Sequence, residues 1–186
     1  AEGLGDWCAK SSTQASSNYG IDKDGHVGMY VEERNRSWCS SSNANDQRAI
    51  TIECASDTAE PYAFRDVVYQ ALIKLCIDIC KRNGKNKLIW FGDKDKTLNY
   101  EPKAGEMILT VHRWFANKSC PGNWMYARMG IWPARLRRLC KGQIPAAAIP
   151  IQRRRLSGIA SVRPGRILNL KKALSRSLVM LRSALT

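Results

Sequence analysis

The segment from Phe64 to Asn83 constrains the fold most. Its apolar positions Val67, Val68, Ala71, Leu72, Leu75, Cys76 and Ile79 recur with a 3.6-residue period, which predicts a helix with one apolar stripe. Pro61 opens the approach to it, and Lys81, Arg82 and Gly84 supply a C-terminal stop. A one-striped helix must bury that stripe against another layer. The neighbouring sequence offers a sheet. Arg48 to Ala55 alternates and is β-branched, and Lys87 to Phe91 and Met107 to Val111 are short apolar strand candidates. Further upstream, Asn18 to Asp22 and His26 to Val31 flank the turn Lys23-Asp24-Gly25 and predict a hairpin. Ser37-Trp38-Cys39 reads as a brief extended piece, and Gly92 to Glu106 as a long polar excursion. At the start, Leu4, Trp7 and Cys8 have helical spacing, and Ser11 to Ser17 forms a Ser-rich link. The expected class is α/β, a mixed central sheet flanked by helices.

Charge divides the chain in two. Residues 1–106 hold 14 Lys+Arg and all 16 Asp+Glu, a net charge of −2. Residues 107–186 hold 16 Lys+Arg and no acid, a net charge of +16. The basic character therefore belongs to the C-terminal part, and a polyanionic partner would meet that part. No run approaches the roughly 18 apolar residues of a membrane span. The first residues, Ala1 to Asp6, lack the basic and apolar parts of a secretory leader. The seven cysteines are odd in number and irregular in spacing, which argues for reduced thiols in a cytoplasmic setting and against a disulfide framework. Cys76 and Cys80, four apart on one helix side, are expected to be packing residues.

After Gly130 the texture changes. Prolines punctuate Ile131-Trp132-Pro133 and Ala146 to Pro150, and arginines cluster at 135, 137 and 138 and at 153 to 155. Ile167, Leu170, Leu174, Leu178 and Leu181 share a helical face, which predicts a basic amphipathic helix near 166–183. Anionic wall polymer or membrane would attract such a helix. The plainer alternative is a solvated or disordered extension. Nucleic-acid binding is argued against, because the aromatic residues lie in the acidic part and are not interleaved with the arginines. The expected domains are residues 1–130 and a basic extension, 131–186.

One stretch carries chemistry. Thr110 to Asn123 places His112 at the end of a strand, Cys120 eight residues on, and Lys118 two before the cysteine. Imidazole and thiolate both suit zinc, and a lysine beside them can stabilise an oxyanion. Taken alone, a His and a Cys at this spacing are more often structural.

The ordered blocks Asn18 to Gly25, Arg36 to Ser40, Ala44 to Glu53 and Val111 to Gly122 resemble the zinc-dependent N-acetylmuramoyl-L-alanine amidases. These are the type-2 amidases of phage endolysins and bacterial autolysins, related to peptidoglycan-recognition proteins. The resemblance runs from about residue 7 to about residue 129. It implies the type-2 amidase fold and hydrolysis, by zinc-activated water, of the amide between N-acetylmuramic acid and L-alanine. It implies Zn2+ held by His112 and Cys120, with Lys118 supporting the oxyanion. Glu53 and Tyr19 match positions that handle or orient protons, and Trp38 and Asn45 match positions along the substrate groove. Plainer roles stand beside these: Tyr19 and Trp38 as packing residues, Glu53 paired with Arg48 or a backbone donor. His26 follows a turn and is assigned no ligand role.

Two departures qualify the match. The resemblance places the family's first zinc ligand, a histidine, on a strand that would precede this chain's first residue. The expectation is a domain lacking its first strand, with an exposed edge or a gap in the sheet, and a zinc site short of one ligand. From Ile131 the resemblance stops, and the tail is either a cationic appendage or an out-of-frame extension. The expected activity is that of a peptidoglycan hydrolase. Its alternative is a catalytically defective amidase-fold module that binds peptidoglycan. An endolysin would be made in the cytoplasm and act at the wall; a secreted autolysin would need a leader upstream.

Overall fold

A computed structural model describes residues 6, 10–133, 151–152 and 176–182. Its frame is one seven-stranded mixed sheet. In chain order the elements are β1 (Tyr19–Ile21), β2 (Val27–Met29), the single-turn helix α1 (Asn43–Asp46), β3 (Ala49–Ala55), the long helix α2 (Asp66–Arg82), β4 (Lys87–Ile89), α3 (Lys94–Asn99), β5 (Glu106–Val111), α4 (Asn123–Tyr126), β6 (Ile151–Gln152) and β7 (Arg176–Arg182). Across the sheet they run β4-β5-β7-β3-β1-β2-β6. Strands β1 and β2 form the expected antiparallel hairpin, closed by Gly25 at φ 83°. β3 pairs parallel with β1, and β4 pairs parallel with β5. The mixed α/β sheet with flanking helices is as anticipated.

Helix α2 lies where its period required. Val68, Leu72, Leu75, Cys76 and Ile79 are buried against Ile50, Ile52, Cys54, Leu109 and Val111 of the sheet. Val67, included in the predicted stripe, is exposed. Each fully buried aliphatic side chain of this layer contributes roughly 1.5–3 kcal/mol. Cys54, Cys76 and Cys80 are buried free thiols, and burial pushes the thiols of Cys54 and Cys76 far above the ordinary range. The polar excursion contains a helix that its composition hid. Asp93 caps α3 by accepting the Lys96 N–H at 2.7 Å, so capping rather than an apolar stripe starts it. Among the described residues, no helix is long and apolar enough to cross a membrane.

The C-terminal part corrects the sequence reading. Residues 176–182, expected within a helix near 166–183, form strand β7; positions 166–175 and 183 lie outside the described residues. β7 runs antiparallel between β3 and β5, paired over Ala49–Ala55 on one side and Ile108–Val111 on the other. Val179, Met180 and Leu181 have no exposed surface. Val179 and Leu181 join the core under α2, while Met180 faces the opposite side with Ala49. The run Val179-Met180-Leu181 is continuously apolar, as a central strand buried on both faces must be. Leucines three and four apart satisfied a helical template as well, and periodicity alone does not separate the two. The gap expected in the sheet is therefore filled by this chain's own later sequence, and residues 176–182 belong to the folded unit.

Replacing Val179 with Asp places an unpaired carboxylate between β3 and β5. The expected cost is about 3 kcal/mol or more, measured as a lowered midpoint in urea unfolding followed by tryptophan fluorescence. An unchanged midpoint would contradict the placement of β7.

Candidate active site

The side of the sheet away from α2 holds the candidate site. β5 ends at Val111, and His112 opens a 3-10 turn, His112–Trp114, whose next residue returns a hydrogen bond from the Phe115 N–H to the His112 carbonyl. Trp114 anchors this turn by stacking on Trp90 with ring centroids 5.0 Å apart. Arg113 then folds the chain back. Its backbone N–H donates to the Cys120 carbonyl at 3.1 Å, and its guanidinium reaches the carbonyls of Cys120 and Ser119 and the Asn123 side chain. One arginine thereby brings Cys120 back beside the residue that follows His112. Gly122 completes the corner at φ 79°. A Cβ there would stand 2.7 Å from the Tyr62 Cβ and 2.9 Å from the Pro61 carbonyl oxygen, so this close approach requires glycine.

Opposite His112 stands the loop before β3. The Asp46 carboxylate accepts the N–H groups of Cys39 and Ser40, each at 3.1 Å, and burial pushes its pKa up against the pull of these donors. The Ser42 hydroxyl caps α1 by accepting the Asn45 N–H. Ser41, between them, holds a left-handed φ of 64° and places its Oγ 3.3 Å from His112 Nε2. Cys39 Sγ donates to Glu53 Oε1 at 3.6 Å. Cys39 and Cys120 both pack against the Ala49–Met180 pair on the floor.

Burial and, to a smaller extent, the nearby Lys118 ammonium together lower the His112 pKa from 6.5 to about 4. His112 is therefore neutral at physiological pH, the form in which imidazole ligates a metal or accepts a proton. Lys118 itself is exposed, on the connection between His112 and Cys120.

The structure brings together only part of the expected set. Lys118 lies near enough to His112 to lower its pKa, Cys120 shares its floor with Cys39, and Glu53 meets the Cys39 thiol. Tyr19 does not join them. It pairs in register with Ile52 rather than Glu53, so it points to the α2 side, where its hydroxyl donates to Glu33 at 2.6 Å and meets Arg82. Burial and the Glu33 carboxylate raise its pKa well above the ordinary phenol value. Asn45 is buried and uses both ends of its amide. Its oxygen accepts from the Thr110 hydroxyl at 3.2 Å and its nitrogen donates to the Met180 sulfur at 3.1 Å, which ties the loop to β5 and β7. Trp38 is half-buried beneath the Arg36 guanidinium, 3.8 Å from the ring centroid. Arg48 pairs with Glu101, so it is not the partner of Glu53 suggested above. Ser41, Cys39 and Met180 were not singled out from the sequence. Nothing in their local patterns marks them, since each is placed by a contact distant in sequence.

Zinc fits this set in chemistry and not in number. A neutral imidazole and a thiol are suitable donors, and a catalytic zinc takes three protein ligands. Among the described residues, no group of three or more His, Cys, Asp and Glu side chains could hold a metal ion.

With this geometry in place, family comparison gives one result. The N-acetylmuramoyl-L-alanine amidase family model, Amidase_2, matches residues 3–123. The chain belongs to this amidase family. No curated protein and no solved structure matches the chain at a significant level. The family acts on peptidoglycan, which makes that polymer the substrate class of this amidase. The matched span contains His112, Lys118, Cys120, Glu53 and Ser41, and ends before β6 and β7.

The low His112 pKa links the site to stability. Between about pH 6.5 and about pH 4 the unfolded chain protonates this residue and the folded chain does not. Stability therefore falls as pH falls through that window, by on the order of 3 kcal/mol at most, and the contribution is constant below it. The check is urea unfolding at a series of pH values for the native chain and His112→Asn. The variant should lose this part of the slope.

Proposed function

We propose that this amidase cleaves the amide bond joining N-acetylmuramic acid to L-alanine. The observation that carries the reading is the neutral His112 at the end of β5, with Lys118 close enough to depress its pKa and Cys120 folded back on the same connection. Lys118 is the cation available to a developing oxyanion. Glu53, held at the same junction through Cys39, is the carboxylate available to manage protons. A zinc ion on His112 and Cys120 would supply Lewis acidity and an activated water, and it needs a third donor beyond these two.

A second reading is a module that binds peptidoglycan and does not cut it. One observation favours it: no three-donor group of His, Cys, Asp and Glu exists among the described residues. Either activity would be exercised at the cell wall, as in an endolysin or an autolysin.

One experiment separates the two. Purified peptidoglycan is incubated with the full chain, with and without added zinc, and new L-alanine amino termini and sedimented protein are both measured. Hydrolysis predicts zinc-dependent release of L-alanine ends, about one zinc per chain by elemental mass spectrometry, and loss of both in Cys120→Ser. Co-sedimentation without release supports the binding module. Neither binding nor release would sink both readings.

A further inference from the structure

We infer that Ser41 is a positioning residue of this site: its hydroxyl engages His112 Nε2 and so leaves Nδ1 as the working nitrogen of the imidazole. The inference rests on His112 being a site residue, and it adds a group that neither the motif nor the family match singles out.

Three observations carry it. First, Ser41 Oγ lies 3.3 Å from His112 Nε2, across 71 residues of sequence. The tautomer that serves the site is the one in which Nε2–H donates to the Ser41 hydroxyl oxygen, because the Nδ1 lone pair is then left to ligate or to accept a proton. Second, Ser41 holds φ 64°, a left-handed conformation that a side-chain-bearing residue adopts at a cost. Strain of this kind persists where the surroundings over-determine the backbone, and it gathers at functional sites. Third, those surroundings are present on both sides. Asp46 holds the N–H groups of Cys39 and Ser40, and the Ser40 hydroxyl reaches the Ser42 carbonyl. Asn45 ties the following turn to Thr110, two residues before His112 on its own strand, and to Met180 of β7. The loop is thus referenced to the strand that carries the histidine. Ser41 and His112 are held in register by the Asn45 amide as well as by their own contact.

Glycine would adopt this backbone more readily than serine. A histidine with one nitrogen fixed by a hydroxyl presents the other in a set orientation, the arrangement by which outer-shell partners orient ligand imidazoles.

The two variants that remove the hydroxyl differ in strain. Ser41→Gly relieves the left-handed backbone; Ser41→Ala keeps the cost. The test is nitrogen-15 NMR of the full chain at neutral pH, reading the ring nitrogens of His112. His26 is the only other histidine, and its Nδ1 pairs with Asp22 in the β1–β2 turn, so it serves as an internal reference. The expected result is the same displacement of the His112 Nε2 resonance in both variants, with His26 unmoved and thermal stability higher in Ser41→Gly than in Ser41→Ala. Unchanged His112 nitrogens in both variants would overturn the inference. So would a change confined to Ser41→Ala, because the effect would then follow strain and not the hydroxyl. The readout needs no metal and no substrate, so failure here is distinct from failure of the hydrolase reading.

Discussion

The pairing of β7 between β3 and β5 is the interaction on which the rest of the molecule depends. Without it, two strands that run in the same direction would face each other across an open space, each with a row of unpaired backbone groups. β7 answers both rows at once. It also divides its side chains between two layers. Val179 and Leu181 extend the core beneath α2, and Met180 becomes the floor against which Cys39 and Cys120 pack. The sheet that supports the amidase site is therefore continuous only because a segment beyond the family match takes part in it.

The site is organised by restraint on His112 from two directions. The arginine that follows it in sequence gathers the Ser119–Asn123 corner and so sets where Cys120 returns. From the other side, the Asp46-centred loop brings Ser41 to the imidazole and Glu53 to the Cys39 thiol. A half-buried imidazole beside a lysine does not take up a proton at neutral pH. That is the electrostatic state a ligand or a proton acceptor requires. Among the described residues no three His, Cys, Asp or Glu side chains converge as a metal site there, and a thioether, Met180, forms the floor beside them.

Much of this was legible in the sequence, for reasons that differ by element. α2 and β3 could be placed because the burial of a face imposes a period that local sequence records, and β5 because a strand buried on both faces is a continuous apolar run. The hairpin could be placed because Asp24-Gly25 suits the turn that closes it. The motif around His112 and Cys120 could be placed because a tight corner between Arg113 and Asn123 keeps its determinants within a dozen residues. Tyr19 was not legible, because register decides its face: one step along β3 separates Ile52, its partner, from Glu53. Nor was β7, whose leucines satisfy a helical stripe and whose strand identity comes from partners about 70 and 130 residues away. Ser41 and Met180 acquire their meaning only through such distant neighbours.

The position of β7 bears on how the chain is made. Synthesis delivers β3, α2 and β5 first, and the strand that separates β3 from β5 follows them by more than sixty residues. During that interval the two inner edges are complete in sequence and incomplete in bonding. Such edges are templates for the wrong partner. Pairings this distant in sequence also form slowly. The nascent chain thus passes through a stage in which its most adhesive surfaces wait for a strand not yet made, and its yield of native protein depends on keeping neighbouring chains apart until residues 176–182 arrive.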